Sequence, residues 1–165
     1  MGVAGCGKTS VAQAIVARLG GRLIEGDVFH PQANVDKMRR GIALTDEDRA
    51  GWLDRLALEL TTAEQGGEHA VLACSALKRR YRDRLRAGAT NLGFVFLDLP
   101  EHEALKRVAQ RVGHFMPDSL VASQFADLER PTGEALALTV DALLPVEAIA
   151  EQVAQWYARI QARAD

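Results

Sequence analysis

The stretch that most constrains this chain is GVAGCGKT at positions 2–9, which matches the pattern G-x-x-x-x-G-K-[ST] at every fixed position. Glycines lack a Cβ and reach positive φ, so such a loop can wrap a polyphosphate and point backbone N–H groups at its oxygens. Lys8 is expected at the β- and γ-phosphates, and Thr9 is expected to offer its hydroxyl to Mg²⁺. The predicted nucleotide-binding residues are Gly2, Val3, Ala4, Gly5, Cys6, Gly7, Lys8 and Thr9.

The sequence contains one of the two elements expected beside this phosphate-binding loop (P-loop), the helix after it. Residues 11–19 form a helical pattern that Gly20 and Gly21 end, as the motif requires. A P-loop should also leave a buried parallel strand, yet only Met1 precedes Gly2. Burying about five apolar residues contributes about 8–15 kcal/mol, comparable to the stability of a whole domain. We therefore expect that the first strand is missing from this sequence and that the natural chain begins earlier.

Composition limits the possible partners. The 165 residues suit one domain, spanning 1–165. With 20 Lys and Arg against 22 Asp and Glu, the net charge is -2, which gives no basic field for nucleic acid or anionic membranes. Two cysteines make no disulfide framework, and no apolar run approaches the roughly 18 residues of a membrane span. These features predict a soluble, cytoplasmic protein with no nucleic-acid or membrane partner.

Strand and helix patterns alternate along the chain. This order predicts an α/β fold, a three-layer α/β/α sandwich around a parallel sheet with right-handed crossovers. The predicted strands are 22–25, 70–74, 93–99 and 135–140. The predicted helices after the first are 32–40, 45–65 with a capping box of Thr45 and Asp48, 76–87 capped by Ser75, 101–112, 119–128 capped by Asp118, and 146–164.

Two carboxylates stand out as partners of the loop. The strand that ends at Cys74 carries no acidic residue for Mg²⁺, so the acid must come from elsewhere. Glu25 and Asp27 follow the strand 22–25, and residues two apart on a strand share a face. We expect Glu25 to hold Mg²⁺ together with Thr9, and Asp27 to accept the proton of an acceptor hydroxyl. No N-K-x-D motif for guanine is present, which favours ATP.

With these residues in view, the chain resembles the thermoresistant-type gluconokinases, P-loop kinases related to shikimate and nucleoside monophosphate kinases. The resemblance spans nearly the whole chain and implies ATP- and Mg²⁺-dependent phosphorylation of D-gluconate to 6-phosphogluconate by a homodimer. It rests on Gly2 to Thr9, Glu25-Gly26-Asp27 with His30-Pro31, Asn34 with Lys37-Met38 and Gly41, Leu44-Thr45-Asp46 with Asp48-Arg49 and Trp52-Leu53, Cys74-Ser75-Ala76-Leu77-Lys78 with Tyr81-Arg82-Asp83 and Leu85-Arg86, and His114-Phe115-Met116 with Ser123-Gln124-Phe125 and Leu128-Glu129.

The resemblance also directs attention to the acceptor side. A sugar acid needs a fork of donors for its carboxylate, and Arg49 is the leading choice, because related kinases keep an acid-binding arginine there, with Arg82 second. His30 and Lys78 are predicted to bind substrate hydroxyls. Two alternatives stay open: Arg49 pairs with Asp46 or Glu47 outside the site, or His30 only caps its helix.

A lid is predicted around residues 107–118. Arg107 and Arg111 lie four apart at the end of a helix that leads into Gly113-His114-Phe115-Met116-Pro117. In related kinases a mobile segment closes over the phosphates, excludes water and brings an arginine to the transferring group. Arg111 is our predicted catalytic arginine, alongside Lys8 and Asp27; surface arginines that complete a helix C-terminus are the alternative.

Three other functions compete with this interpretation. A kinase of the same fold could act on shikimate, another small acid or a nucleoside monophosphate. A nucleotide-binding switch would hydrolyse ATP slowly, but it does not need the acceptor-side set of Asp27, His30, Arg49 and Lys78. The basic helix after Lys78 could contact nucleic acid, against which stand the net charge of -2 and only nine aromatic residues (two Trp, two Tyr, five Phe).

Overall fold

The computed structural model describes residues 1–110 and 118–162. Helices and strands alternate along it, as predicted. The elements are α1 (Lys8–Leu19), β1 (Arg22–Glu25), a 3-10 helix (Gly26–Phe29), α2 (Gln32–Arg39), α3 (Asp46–Gln65), β2 (Ala70–Ala73), α4 (Arg79–Arg86), β3 (Phe94–Asp98), α5 (Glu101–Ala109), α6 (Asp118–Asp127), β4 (Ala137–Asp141) and α7 (Val146–Gln161). No helix in this described part is both long and apolar enough to cross a bilayer.

The strands form two parallel pairs, which confirms the predicted α/β class. β1 pairs with β2 from Arg22 opposite Ala70, and β3 pairs with β4 from Phe94 opposite Ala137. Each pair has its own apolar core. The first core is built on Trp52, Leu53 and Leu56 of α3, and the second combines residues of the P-loop, α1, β3 and α7. The carboxyl ends of the parallel strands are where such folds place their ligands.

Met1 lies between the two strand pairs. Its α-amino group donates to the Val95 carbonyl at 2.6 Å, and its carbonyl accepts from the Leu97 N–H at 3.0 Å. These two bonds are those of a parallel ladder in which Met1 faces Phe96. On the other side, the Gly2 N–H donates to the carbonyl of Ser75, just after β2, at 3.1 Å. The P-loop therefore begins between β2 and β3, near the carboxyl ends of these two strands.

The largest correction to the predicted elements is the start of the fourth helix. Ser75 does not cap a helix at residue 76, because α4 begins at Arg79. Ala76 has φ 44°, and the Ala76 and Leu77 carbonyls each accept from Arg82 Nη1 at 2.9 Å. Carbonyls bound in this way to a buried guanidinium hold the segment outside a helix.

Smaller differences occur at other element ends. Leu136 has φ 51°, so β4 begins at Ala137 and not at residue 135. α5 ends at Ala109, α7 ends at Gln161, and the predicted end at residue 112 lies outside the described residues. The capping box predicted at Thr45 and Asp48 is confirmed: each side chain accepts from the backbone N–H of the other.

Candidate active site

The P-loop has the backbone of an anion cradle. Gly5 has φ +80° and Gly7 has φ +91°, in the left-handed region that favours glycine. A Cβ at Gly5 would also lie 3.1 Å from the Ala104 carbonyl oxygen. α1 begins at Lys8 without a side-chain cap. Its first backbone N–H groups and the positive end of its dipole are thus left for a ligand, which fits a polyphosphate.

Protein atoms occupy some of the polar groups of this loop. Lys8 Nζ donates to the carbonyls of Gly2 at 3.2 Å and Val3 at 3.0 Å, and the Ala4 N–H donates to Gln124 Oε1 of α6 at 2.7 Å. A bound polyphosphate would replace these partners with its own oxygens. The loop therefore already has its folded shape, and the Ala4 N–H and Lys8 Nζ bind protein oxygens in place of a phosphate.

Thr9 and Glu25, predicted as a metal-binding pair, lie together. Thr9 Oγ1 donates to Glu25 Oε2 at 3.1 Å, while Glu25 Oε1 is buried and has no hydrogen-bond partner among the described residues. A buried carboxylate oxygen without a partner needs an explanation, and a cation supplies one. Mg²⁺ in nucleotide sites commonly takes one or two carboxylates together with phosphate and water oxygens. The residues present therefore fit Mg²⁺.

Asp27 and His30 follow directly after β1. Asp27 is exposed in the 3-10 helix, whose backbone is fixed because Trp52 Nε1 donates to the Gly26 carbonyl at 2.8 Å. The His30 ring stacks on Trp52, with the ring centroids 4.2 Å apart. Burial lowers the pKa of His30 to about 4; Asp27 opposes this shift and Arg49 adds to it. His30 is therefore neutral at pH 7 and can both donate and accept a hydrogen bond.

The start of α3 is fastened to α2 by partly buried polar contacts. Asn34 is 3% exposed, and its Nδ2 donates to the Asp48 carbonyl at 2.7 Å. Lys37 Nζ donates to both Asp48 carboxylate oxygens, at 2.6 and 2.8 Å. These contacts assign a structural role to Asn34, Lys37 and Asp48, which the resemblance singled out without one.

Arg49 is the buried cation of this region. It is 9% exposed, its Nε is buried without a hydrogen-bond partner in the described residues, and its guanidinium carbon lies 5.8 Å from the centre of the Tyr81 ring. The described contacts include no ion pair between Arg49 and Asp46 or Glu47. Asp46 instead binds Lys78, Arg80 and Tyr81. Arg49 therefore keeps a donor for an anionic group.

Lys78, predicted to bind substrate hydroxyls, lies in ion pairs with two aspartates. Its Nζ lies 3.2 Å from Asp46 Oδ1 and 2.9 Å from Asp127 Oδ1. The hydrogen bond with Asp127 is the main cause that raises the pKa of Lys78, and the bond with Asp46 adds to it. Lys78 thus joins the starts of α3 and α4 to the end of α6, and its assignment to substrate hydroxyls stays a prediction.

Arg82, the second choice for the substrate carboxylate, is a framework residue. Its side chain is 0% exposed; Nε contacts both Glu134 carboxylate oxygens at 3.1 and 3.0 Å, and Nη2 contacts Glu134 Oε1 at 2.5 Å. Nη1 donates to the two carbonyls before α4. The Arg82 bonds and a further bond from Arg86 lower the pKa of Glu134 to about 2. All three nitrogens of this guanidinium bind protein oxygens, so none is left for the carboxylate of a sugar acid.

The predicted lid is only partly described. Arg107 Nη1 lies 3.4 Å from the Gly5 carbonyl oxygen and its Nη2 lies 3.1 Å from that of Ala142, so this side chain braces the P-loop. Arg111 and the segment 111–117 lie outside the described residues.

Sequence reasoning missed the partners that come from the last third of the chain. Gln124, Asp127 and Glu134 bind Ala4, Lys78 and Arg82 across 120, 49 and 52 positions. Gln124 lies in the Ser-Gln-Phe motif of the resemblance, which marked its position but gave no role. No local pattern marks Glu134.

Comparison with known proteins agrees with this geometry. A family model described as an AAA domain matches residues 1–131. The chain is 50% identical to a gluconokinase of Gluconobacter oxydans over 131 residues, covering 79% of this chain and 74% of that protein. It is 36% identical to the thermoresistant gluconokinase of Escherichia coli over 150 residues, covering 90% and 86%. A crystal structure of a gluconokinase from Sinorhizobium meliloti superposes with a TM-score of 0.87 at 44% identity, covering 97% of this chain and 90% of that one.

Proposed function

This chain belongs to the gluconokinase family of P-loop kinases, and we propose that it transfers the γ-phosphoryl group of ATP to the terminal hydroxyl of D-gluconate. The products are 6-phospho-D-gluconate and ADP. The observation that carries this proposal, beyond family membership, is the nearly buried Arg49, whose guanidinium has a nitrogen without a partner in the described residues. A buried cation in a kinase site is suited to an acceptor that is itself an anion.

The nucleotide side is proposed to work through Lys8 and the backbone of the P-loop. Its N–H groups and the start of α1 hold the phosphates, and Lys8 leaves the Gly2 and Val3 carbonyls to reach them. Thr9 and Glu25 hold Mg²⁺, consistent with the unpartnered Oε1 of Glu25. Bound Mg²⁺ neutralises charge on the β- and γ-phosphates.

The acceptor side is proposed to position the hydroxyl of gluconate. Phosphoryl transfer depends mainly on positioning and charge neutralisation. Arg49 binds the carboxylate, and the neutral His30 ring hydrogen-bonds a hydroxyl. Asp27 orients the terminal hydroxyl and takes its proton as the new O–P bond forms and ADP departs. The exposure of Asp27 beside the carboxyl end of β1 supports this role.

Three further expectations stay proposals, of which the first two rest on the resemblance. Arg111, within the lid around 107–118, neutralises charge on the transferring phosphoryl group. The active protein is a homodimer, and it works in the cytoplasm.

The test is a coupled assay of ADP release with Mg-ATP and a panel of acceptors. The panel contains D-gluconate, shikimate, nucleoside monophosphates and a blank without acceptor. We expect release that depends on D-gluconate. Release only with shikimate or a nucleotide would replace gluconate by that acceptor, and release indifferent to every acceptor would favour a nucleotide-hydrolysing switch.

A further inference from the structure

The imidazole ring of His30 is held in one plane. It stacks on the indole of Trp52, with the ring centroids 4.2 Å apart and the two planes 11° from parallel. Trp52 is 1% exposed, and its Nε1 donates to the Gly26 carbonyl at 2.8 Å, so the indole is itself fixed in position. The stack sets the plane of the imidazole, but it does not decide which ring nitrogen carries the proton.

Asn34 lies against one of the two ring nitrogens of His30. His30 precedes Pro31, the N-cap residue of α2, and Asn34 follows four positions after His30 in the first turn of this helix. Residues four apart lie on the same side of a helix. Asn34 Nδ2 is 3.5 Å from His30 Nδ1, at the long end of the hydrogen-bond range. Asn34 therefore contacts Nδ1 and leaves Nε2 to other partners.

The orientation of the Asn34 carboxamide follows from its second contact. Nδ2 donates to the Asp48 carbonyl at 2.7 Å. A carbonyl only accepts, so the opposite orientation of the amide would bring two oxygens together. Asp48 is held in turn by Lys37 and by the capping box with Thr45. Asn34 is buried, and the N–H of Nδ2 that Asp48 does not use is the group that meets His30.

A donor at Nδ1 determines where the ring proton lies. Because the pKa of His30 is lowered to about 4 by burial, the ring carries one proton at pH 7. Nδ1 must keep its lone pair to accept from Asn34, so that proton belongs on Nε2. The described hydrogen bonds include none to Nε2, and the His30 side chain is half-buried. The Nε2–H group is thus available to a ligand.

The neighbouring cation has the same hydrogen-bonding preference. Arg49 lies close enough to His30 to add to the lowering of its pKa. A guanidinium donates hydrogen bonds and never accepts them. Together with Nε2–H of His30, it favours a ligand oxygen at this place, whereas a ligand amino group would meet two donors.

We propose that Asn34 is a positioning residue, which holds His30 as the tautomer with its proton on Nε2 so that the ring donates to an oxygen of the substrate. Asn34 itself acts through His30 and not on the reacting atoms. The donation to the substrate rests on the proposed function, whereas the position of the ring proton does not. A ring protonated on Nδ1 would present a lone pair to the substrate oxygen and repel it.

The first test is long-range ¹H–¹⁵N NMR of the imidazole nitrogens, with the His30 signals assigned by their loss in His30→Gln. The spectra are recorded at about pH 8.5, well above the ordinary His pKa of 6.5, so the ring is neutral. We expect a bare Nδ1 and a protonated Nε2 in the ligand-free protein. Saturating D-gluconate should shift the Nε2–H signal more than the Nδ1 signal. A proton on Nδ1 in the ligand-free protein would overturn the proposal.

The second test is Asn34→Asp, which replaces the donor at Nδ1 with an acceptor of the same size. The ring proton should move to Nδ1, and KM for D-gluconate should rise about 10-fold with a smaller change in kcat. Asn91→Asp is the matched control, because it makes the same substitution at an exposed position before β3. The control should change neither the tautomer nor KM. A ring proton that moves in Asn34→Asp while KM stays the same would contradict the role of Nε2–H.

Two outcomes keep the test decisive if the variant or the activity fails. Asn34→Asp also loses the bond to the Asp48 carbonyl, so urea unfolding checks that it folds. If it does not fold, the D-gluconate titration of the parent protein decides, and an Nε2–H signal that does not shift overturns the proposal. If the parent protein phosphorylates no gluconate, the proposed function fails, while the ligand-free spectrum still supports or overturns the tautomer.

Discussion

The two halves of the candidate active site are held in different ways. In the acceptor half, formed by the 3-10 helix and the starts of α2, α3 and α4, charged side chains bind one another. Lys37 binds Asp48, Lys78 binds two aspartates, and Arg82 binds Glu134. In the nucleotide half, formed by the P-loop, α1 and Glu25, the corresponding groups bind loop carbonyls or, at Glu25 Oε1, no described atom.

This difference shows which contacts hold each half in place. The acceptor half carries its own counter-ions, so it is organised before substrate arrives, while Arg49 Nε has no partner among the described residues. The nucleotide half leaves its polar groups with exchangeable partners such as Gln124, which a polyphosphate and its cation can replace. We expect mutations of the paired charged residues in the first half to act strongly on stability, and mutations in the second half to act on catalysis.

The largest effect is expected from Glu134→Gln, which leaves the buried Arg82 without its counter-ion. Removing one partner of a buried ion pair costs about 3–5 kcal/mol, measurable by urea unfolding. The control is Asp83→Asn, an exposed partner of Arg86, with an expected loss below about 1 kcal/mol. Similar small losses of unfolding free energy for both variants would contradict the expected difference between the two halves.

The same ion pair gives the unfolding free energy a pH dependence. The folded-state pKa of Glu134, about 2, lies below its ordinary value of 4.5. Its stabilising contribution is therefore fully present above pH 4.5 and is lost as the pH falls toward 2. Urea unfolding over this range should show a steeper loss in the parent protein than in Glu134→Gln, and parallel curves would contradict the assignment.

Lys8→Ala should leave the fold intact and lower kcat by about 10²–10³-fold, because it removes the charge proposed to stabilise the transferring phosphoryl group. Lys106→Ala is the matched control, since Lys106 is exposed and, among the described residues, pairs with Glu103 three residues before it. ADP release and urea unfolding of both variants check the claim. A Lys8→Ala protein that loses stability but keeps its kcat would place this lysine in the framework.

Arg49→Gln should raise KM for D-gluconate by about 10- to 100-fold, the value of a hydrogen bond to a charged group. Arg55→Gln is the control, because Arg55 lies in the same helix but is exposed and paired with Glu59. With D-glucitol, which lacks the carboxylate, KM should differ little between the parent protein and Arg49→Gln. An equal loss with both acceptors would mean that Arg49 does not bind the carboxylate.

The smallest effect concerns His30, which should stay neutral across the working range. Since its pKa is about 4, its NMR ring signals should not shift between pH 5.5 and 8, and it should add no inflection to kcat/KM there. A titration of His30 near pH 6.5 would show that the stack on Trp52 does not bury the ring in solution.

The sequence predicted the parts of this molecule that depend on neighbours along the chain. The P-loop, the capping box at Thr45 and the pair of Thr9 and Glu25 follow from local spacing or from strand ends. Arg82 could not be assigned in this way, because its counter-ion lies 52 positions away and only burial reveals that its donors are occupied. Lys78 likewise looked like a free cation until Asp127 was brought beside it by α6.

The most direct test of the central claim is a rapid-quench measurement of phosphate transfer from γ-labelled ATP, comparing the parent protein with Asp27→Asn. We expect label to appear in 6-phospho-D-gluconate with the parent protein, and to appear about 10²–10⁴-fold more slowly with Asp27→Asn while ATP binding is unchanged. Transfer by Asp27→Asn at the parent rate would remove Asp27 from the chemistry. Label that passes to water as readily with gluconate as without it would contradict the kinase assignment itself.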